Sequence, residues 1–142
     1  MAKPLQLALL AGIIGMLAVS GRAAAEEVSG PLKDTSRIVS IGGSITEIIY
    51  ALGEQERLAG RDSTSIYPRE ARQLPDIGYM RALSPEGVLS INPTAIIAVE
   101  GSGPEQAIDL LRKASVPFVF VPENYTAASV SEKIRKVGRA LG

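Results

Sequence analysis

The sequence predicts an α/β fold, a parallel Rossmann-like sheet covered by helices, on three observations. Short β-rich runs alternate with amphipathic segments from Arg37 onward, the βαβα signature of a parallel sheet with helices packed on it. Glycine, proline and small polar residues punctuate nearly every junction between those runs. Three of the strands also end in segments rich in Gly, Ser, Thr or charge, and open parallel sheets take their ligands outside the carboxyl ends of the strands.

The elements follow in order. The first strand is RIVSI at 37–41, which runs into Gly42-Gly43 and the helix SITEIIYALG. There Ser44 is expected as N-cap, with Glu47 completing a capping box and Gly53 as the C′ residue. Ile45, Ile48, Ile49 and Leu52 recur at helical spacing, which gives this helix one buried face. RLAGR at 57–61 is the second strand; it delivers the chain into the polar run RDSTSIYPRE at 61–70, where Pro68 stands as N1 of a short helix, PREARQ. LPDIGYM, with Pro75 and Gly78, is an irregular connection with at most a brief strand. Ser84-Pro85-Glu86 repeats the N-cap and N1 pattern and opens the short helix PEGVLS.

Asn92-Pro93 then turns the chain into TAIIAV at 94–99, an apolar strand of the fully buried kind. Gly101-Ser102-Gly103 leads to Pro104 at N1 of PEQAIDLLRKA, whose Ala107, Leu110, Leu111 and Ala114 are expected to face the sheet. PFVFV at 117–121 is the fourth strand, and Thr126 caps a last helix, 127–141, ending at Gly142.

The amino terminus sets the compartment. Lys3 precedes an apolar run of fifteen residues, Leu5 to Val19, and Ala23-Ala24-Ala25 precedes Glu26-Glu27. That is the pattern of a secretory signal peptide over residues 1–25, cleaved after Ala25. As a membrane anchor the run falls short of the roughly 20 residues that span a bilayer. The chain contains no cysteine, which excludes disulfides, thiolate metal sites and a lipid-attachment cysteine; export without a lipid anchor points to a Gram-negative periplasm. Cleavage removes Lys3 and Arg22 from the 15 basic residues, leaving 13 against 15 acidic ones, a net charge of about −2. So nearly balanced a charge gives no support to nucleic-acid binding. The remaining 117 of 142 residues suit one domain, with residues 26–36 expected as a flexible lead-in.

The strand ends place Gly42 to Ser44, Asp62 to Tyr67 and Glu100 to Gly103 on one rim. Gly42-Gly43-Ser44 opens onto a helix start, where backbone N–H groups and the helix dipole can cradle an anion; a tight strand-to-helix turn is the plainer account. IGGSITEI lacks the dinucleotide pattern Gly-x-Gly-x-x-Gly, and no phosphate-binding Walker sequence is present. With neither histidine nor cysteine in the chain, the commonest general base and the best nucleophile are missing, so an enzyme is not expected. Zinc or manganese sites built from protein ligands alone fare no better.

Tyr67 changes the question. A phenolate is a hard anionic donor suited to ferric iron, and tyrosinate is a known axial ligand of haem. It needs a cationic neighbour to stabilise the anion, and Arg61 and Arg69 flank it in sequence. A loop tyrosine that packs its ring and wets its hydroxyl is the alternative, and spacing alone does not raise Tyr67 above Tyr79 or Tyr125. Tyr79, followed by Met80 and Arg81, can lie along the same rim and pack on a flat ligand; Tyr50, inside a helix, reads as structural.

RIVSIGGSITEIIYALG, DSTSIYP and LPDIGYMRALSPEGVLSINPTAIIA together resemble the periplasmic haem-binding proteins that feed haem ABC importers, a branch of the group that includes the cobalamin- and siderophore-binding proteins. The resemblance covers residues 36–141, and the Ser-x-Tyr-Pro and Gly-Tyr-Met-Arg segments narrow it to the haem branch. It implies that Tyr67 is the axial ligand to haem iron, and that the surface carboxylate of Glu86 docks onto an arginine pocket of the inner-membrane permease. Arg61, Arg69 and Arg81 are weaker candidates for supporting the phenolate or meeting the haem propionates. Family members are two-lobed, with a rigid helix joining the lobes and the ligand in the cleft between them; residues 37–142 match the amino-terminal lobe alone. The expectation is a monomeric carrier of haem (hemin), with a ferric-siderophore or cobalamin carrier on the same scaffold as the alternative.

Overall fold

The computed structural model describes residues 30–142, so the expected signal peptide and its cleavage site lie outside the described residues. Four strands, β1 (Ile38–Ile41), β2 (Leu58–Arg61), β3 (Ala95–Val99) and β4 (Phe118–Val121), form one sheet in the order β2-β1-β3-β4. All three pairings are parallel, with Ile38 opposite Ala95 and Ile96 opposite Phe118. The strands are mostly apolar and almost entirely buried, Ser40 of β1 and Arg61 of β2 being polar exceptions, because both faces of the sheet are covered.

Four α-helices do the covering: α1 (Gly43–Ala51), α2 (Pro85–Leu89), α3 (Glu105–Lys113) and α4 (Ala127–Leu141), with 3-10 turns at Gln55–Arg57 and Arg69–Gln73. Side-chain alternation along the strands sorts the core into two halves. Ile38, Ala95, Ile97, Val99, Val119 and Val121 pack with Ile45 and Ile49 of α1 and with Val137 and Ala140 of α4. On the other face, Val39, Ile41, Ile96 and Ala98 pack with Val88 of α2 and with Ala107, Ile108 and Leu111 of α3.

Several local expectations are corrected. Ser44 does not cap α1: the N-cap is Gly42, at φ 102, with no side-chain cap bond, so the Ser44–Glu47 capping box does not form. Two glycines let the chain turn from strand to helix within one residue, which draws Ser44 into the first turn. On α3 the sheet-facing positions include Ile108, whereas Leu110 is 52% exposed and Ala114 is exposed. Pro68 and Pro104 each stand just before the first helical residue rather than at N1. The lead-in is not free over its described part: Leu32 is buried in the core and its N–H donates to the Ala140 carbonyl at 3.0 Å. Apolar Leu32 joins the half of the core that α1 and α4 cover.

Other elements stand as the sequence predicts them. Ser84 caps α2 through Gly87 N–H at 3.2 Å, with Pro85 at N1. Thr126 caps α4 in a reciprocal box with Ser129, each N–H to hydroxyl at 3.1 Å. Arg61 and Asp76 make one isolated bridge, the brief strand of the LPDIGYM connection.

Candidate functional site

Because the strands are parallel, the loops after β1, β2, β3 and β4 meet at one end of the sheet. The loop after β2 is locked onto the start of α1. Asp62, fully buried, accepts from Gly42 N–H at 2.9 Å and from Ser65 Oγ at 2.7 Å on one oxygen, and from Thr64 N–H at 3.0 Å and Thr64 Oγ1 at 2.7 Å on the other. Thr64 Oγ1 in turn accepts from Gly43 N–H at 3.2 Å. Behind this, Ser40 and Thr46 hydroxyls lie 2.7 Å apart, as do those of Thr46 and Ser65. A continuous buried hydroxyl chain thus ties strand, helix and loop, and the cost of burying so many polar groups is met because each has a partner.

Two residues beyond that lock stands Tyr67, with 67% of its surface exposed. It borders a depression of about 370 Å³ shared with Ser44, Glu47, Ile48, Ala51 and Leu52 of the α1 segment and with Val130, Lys133 and Ile134 of α4. Leu52, Val130 and Ile134 are themselves substantially exposed, so the wall facing Tyr67 is largely apolar and open to solvent. Lys133 is the buried cation of this wall: its Nζ meets Glu123 Oε2 at 2.5 Å and Ser44 Oγ at 3.3 Å.

The structure brings Tyr67 and Ser44 together but gives Gly42, Gly43 and Arg61 other work. The N–H groups of Gly42 and Gly43 are already taken by Asp62 and Thr64, so the helix start is closed by the chain's own carboxylate rather than left for a ligand anion. Arg61 is buried; its Nη1 pairs with Asp76 at 2.6 Å and donates to the Asp62 carbonyl at 3.1 Å. That guanidinium braces the loop and is not presented to a ligand. Its Nε is buried without an acceptor.

Tyr79 and Arg81 lie on the neighbouring loop, both exposed. Ser63 N–H to the Gly78 carbonyl at 2.9 Å and Gly103 N–H to the Met80 carbonyl at 2.8 Å hold this loop between those following β2 and β3. Arg69 is exposed on the 3-10 turn after Tyr67. Tyr50 sits partly buried in α1; burial, then the Glu70 and Glu56 carboxylates, push its phenol above the usual range, which disfavours a phenolate there. Glu86 lies exposed in the first turn of α2, where its own N–H, then the Ser84 hydroxyl at 2.8 Å, hold its carboxyl below the usual glutamate range. Among the described residues no group of three His, Cys, Asp or Glu could hold a metal ion.

Sequence reading placed Asp62 on the rim but missed its part as the buried acceptor of the lock, and it missed Lys133 and Glu123. Asp62 carried one signal, an Asp followed by Ser-Thr-Ser, the composition of an Asx turn. Lys133 and Glu123 carried none, since their meeting depends on how α4 lies against α1.

A profile of the periplasmic binding protein family matches residues 38–142. Among solved structures, the periplasmic heme-binding protein of Roseiflexus sp. RS-1 in its apo form is similar with a TM-score of 0.74 and 44% identity, over 77% of this chain and 42% of that one. The periplasmic heme-binding protein from Pseudomonas aeruginosa gives a TM-score of 0.70 and 36% identity, over 72% of this chain and 37% of that one. Among curated proteins, the vitamin B12-binding protein of Yersinia pestis (strain Pestoides F) is 28% identical over 90 residues, 63% of this chain. The chain spans 32% of the length of that curated relative and about two fifths of the solved ones.

Proposed function

The chain belongs to the periplasmic binding protein family, and we propose that it binds haem (hemin) at the strand-end rim, as the substrate-binding part of an ABC importer. In this reading the Tyr67 phenolate is the axial ligand to ferric iron. The observation that carries it is Tyr67 itself, held two residues past a buried lock, exposed, and bordering a depression whose wall is largely apolar. A flat porphyrin supplies a large apolar plane, and burying it against such a wall contributes most of the binding free energy. Iron arrives inside the macrocycle, so Tyr67 would need to supply only one axial oxygen donor to it. The similarity to two heme-binding proteins at 44% and 36% identity supports haem as the cargo.

The rest of the assignment follows the same line. Residues 1–25 direct export to the periplasm and are cleaved near Ala25. The monomer carries haem chemically unchanged to the inner-membrane permease. Exposed Glu86 on α2, ionised and preorganised by Ser84, docks on an arginine pocket there. Ser44, Tyr79 and Arg81 are the rim residues that remain open to the ligand, and Arg81 is the arginine offered to a propionate.

Hemin titration followed by absorption tests this reading. The expected result is a ferric tyrosinate spectrum that Tyr67→Phe abolishes and Tyr79→Phe leaves in place. An unchanged spectrum in Tyr67→Phe overturns the assignment. A parallel titration with cyanocobalamin and a ferric siderophore addresses the alternative that the 28% identical vitamin B12-binding relative raises; tighter binding of either than of hemin selects it.

A further inference from the structure

We propose that Tyr125 is a further ligand-contacting residue of this rim, a ring that stacks on the face of a bound porphyrin; the inference rests on the haem reading of the site. Tyr125 is the most exposed large hydrophobic residue described, at 87% of its surface. It also sits at φ 50, a left-handed conformation that an aromatic residue adopts at an energetic cost. Three described non-glycine residues have positive φ. Asn92 and Ser115 precede β3 and β4 and so lie at the opposite end of the sheet. Only Tyr125, following β4, lies at the carboxyl-end rim.

Its backbone is fixed from both sides. Thr126, the next residue, closes the reciprocal cap of α4. Glu123, two residues earlier, is paired through Lys133 to Ser44, which borders the same depression as Tyr67. A strained turn clamped in this way, yet carrying a side chain left almost wholly in solvent, is a platform for something outside the chain. A tyrosine ring prefers an offset face-to-face or edge-to-face contact with another π system. With Tyr67 on the iron and Tyr125 on the ring system, the two aromatics take different parts of one flat ligand.

Iron-free protoporphyrin IX separates the two roles, because its binding cannot depend on coordination. On the full chain, Tyr125→Gly is expected to weaken protoporphyrin IX about three- to tenfold, the range of one aromatic stacking contact. The same substitution relieves the positive φ, so its melting temperature stays level or rises. Tyr125→Phe keeps the ring and binds within about twofold of wild type. Tyr67→Phe keeps its ring too, and retains protoporphyrin IX while losing the hemin tyrosinate spectrum. If Tyr125→Gly leaves protoporphyrin IX affinity unchanged, or wild type does not bind it, the stacking role is overturned whatever hemin does. If Tyr125→Gly weakens it but hemin never shows a Tyr67-dependent spectrum, stacking stands and the coordination assignment falls.

Discussion

The Gly42 N–H donates to the buried Asp62 carboxylate at 2.9 Å, so the start of α1 is closed by a side chain from the end of the neighbouring strand. The same carboxylate takes the Thr64 N–H and two hydroxyls. One residue therefore sets the path of the loop that carries Tyr67.

Asp62→Ala should cost about 3 kcal/mol, because it strands buried donors that nothing else can reach. Asp62→Asn keeps the volume but turns an NH₂ toward donors, and should recover only part of that loss. Urea unfolding gives both numbers. Equal stability of all three proteins would show that the lock is dispensable.

At Gly42 the backbone itself limits substitution. A Cβ there would lie 2.6 Å from Val99 Cγ1, at φ 102. Gly42→Ala should destabilise by about 2–4 kcal/mol, combining conformational strain with overlap in a packed core. Pairing it with Val99→Ala removes the overlap and leaves the strain, so the double variant should fall short of the sum of the single effects in thermal unfolding. Strict additivity would mean that the clash is not the cause.

Glu123 and Lys133 form a mostly buried pair, their side chains 20% and 7% exposed. Glu123→Ala leaves an uncompensated ammonium and should cost about 2 kcal/mol, below the range for a fully buried pair because water still reaches the carboxylate. Glu123→Ala combined with Lys133→Met should be the more stable of the two variants. Denaturant midpoints decide the order, and the reverse order would show that Lys133 finds other compensation.

Glu86 titrates below the ordinary glutamate range through its own N–H first and the Ser84 hydroxyl second. A depressed carboxyl pKa in the folded state contributes stability above the unfolded pKa and loses it as pH falls through the folded one. Ser84→Ala should raise the Glu86 pKa toward the ordinary value, read by carbon-13 NMR titration, and should also cost about 1 kcal/mol as a lost helix cap. A Glu86 titration unmoved by Ser84→Ala would leave the backbone N–H as its sole support.

Much of the fold was legible because it rests on local rules. Apolar runs of strand length, Ser84 before Pro85, and Thr126 before a helical stripe each act within a few residues, and all three elements formed where the pattern placed them. The Ser44–Glu47 capping box failed for a reason equally local but stronger, since two glycines let the helix begin two residues earlier. On α3, Ile108 and Leu110 are both apolar, and only the tilt of the helix on the sheet chose which to bury.

The sequence by itself determined a parallel α/β sheet, the common end at which its loops gather, and the presence there of tyrosines in a chain without histidine or cysteine. Tertiary structure alone decided which polar groups remain for a ligand. Asp62 and Thr64 consumed the N–H groups of Gly42 and Gly43 and Asp76 consumed Arg61, whereas Tyr67 and Tyr125 were left standing in solvent. The physical reason is that a hydrogen bond or ion pair is spent on whichever partner lies nearest in space, and proximity between residues 15 to 89 positions apart is fixed only when sheet and helices pack.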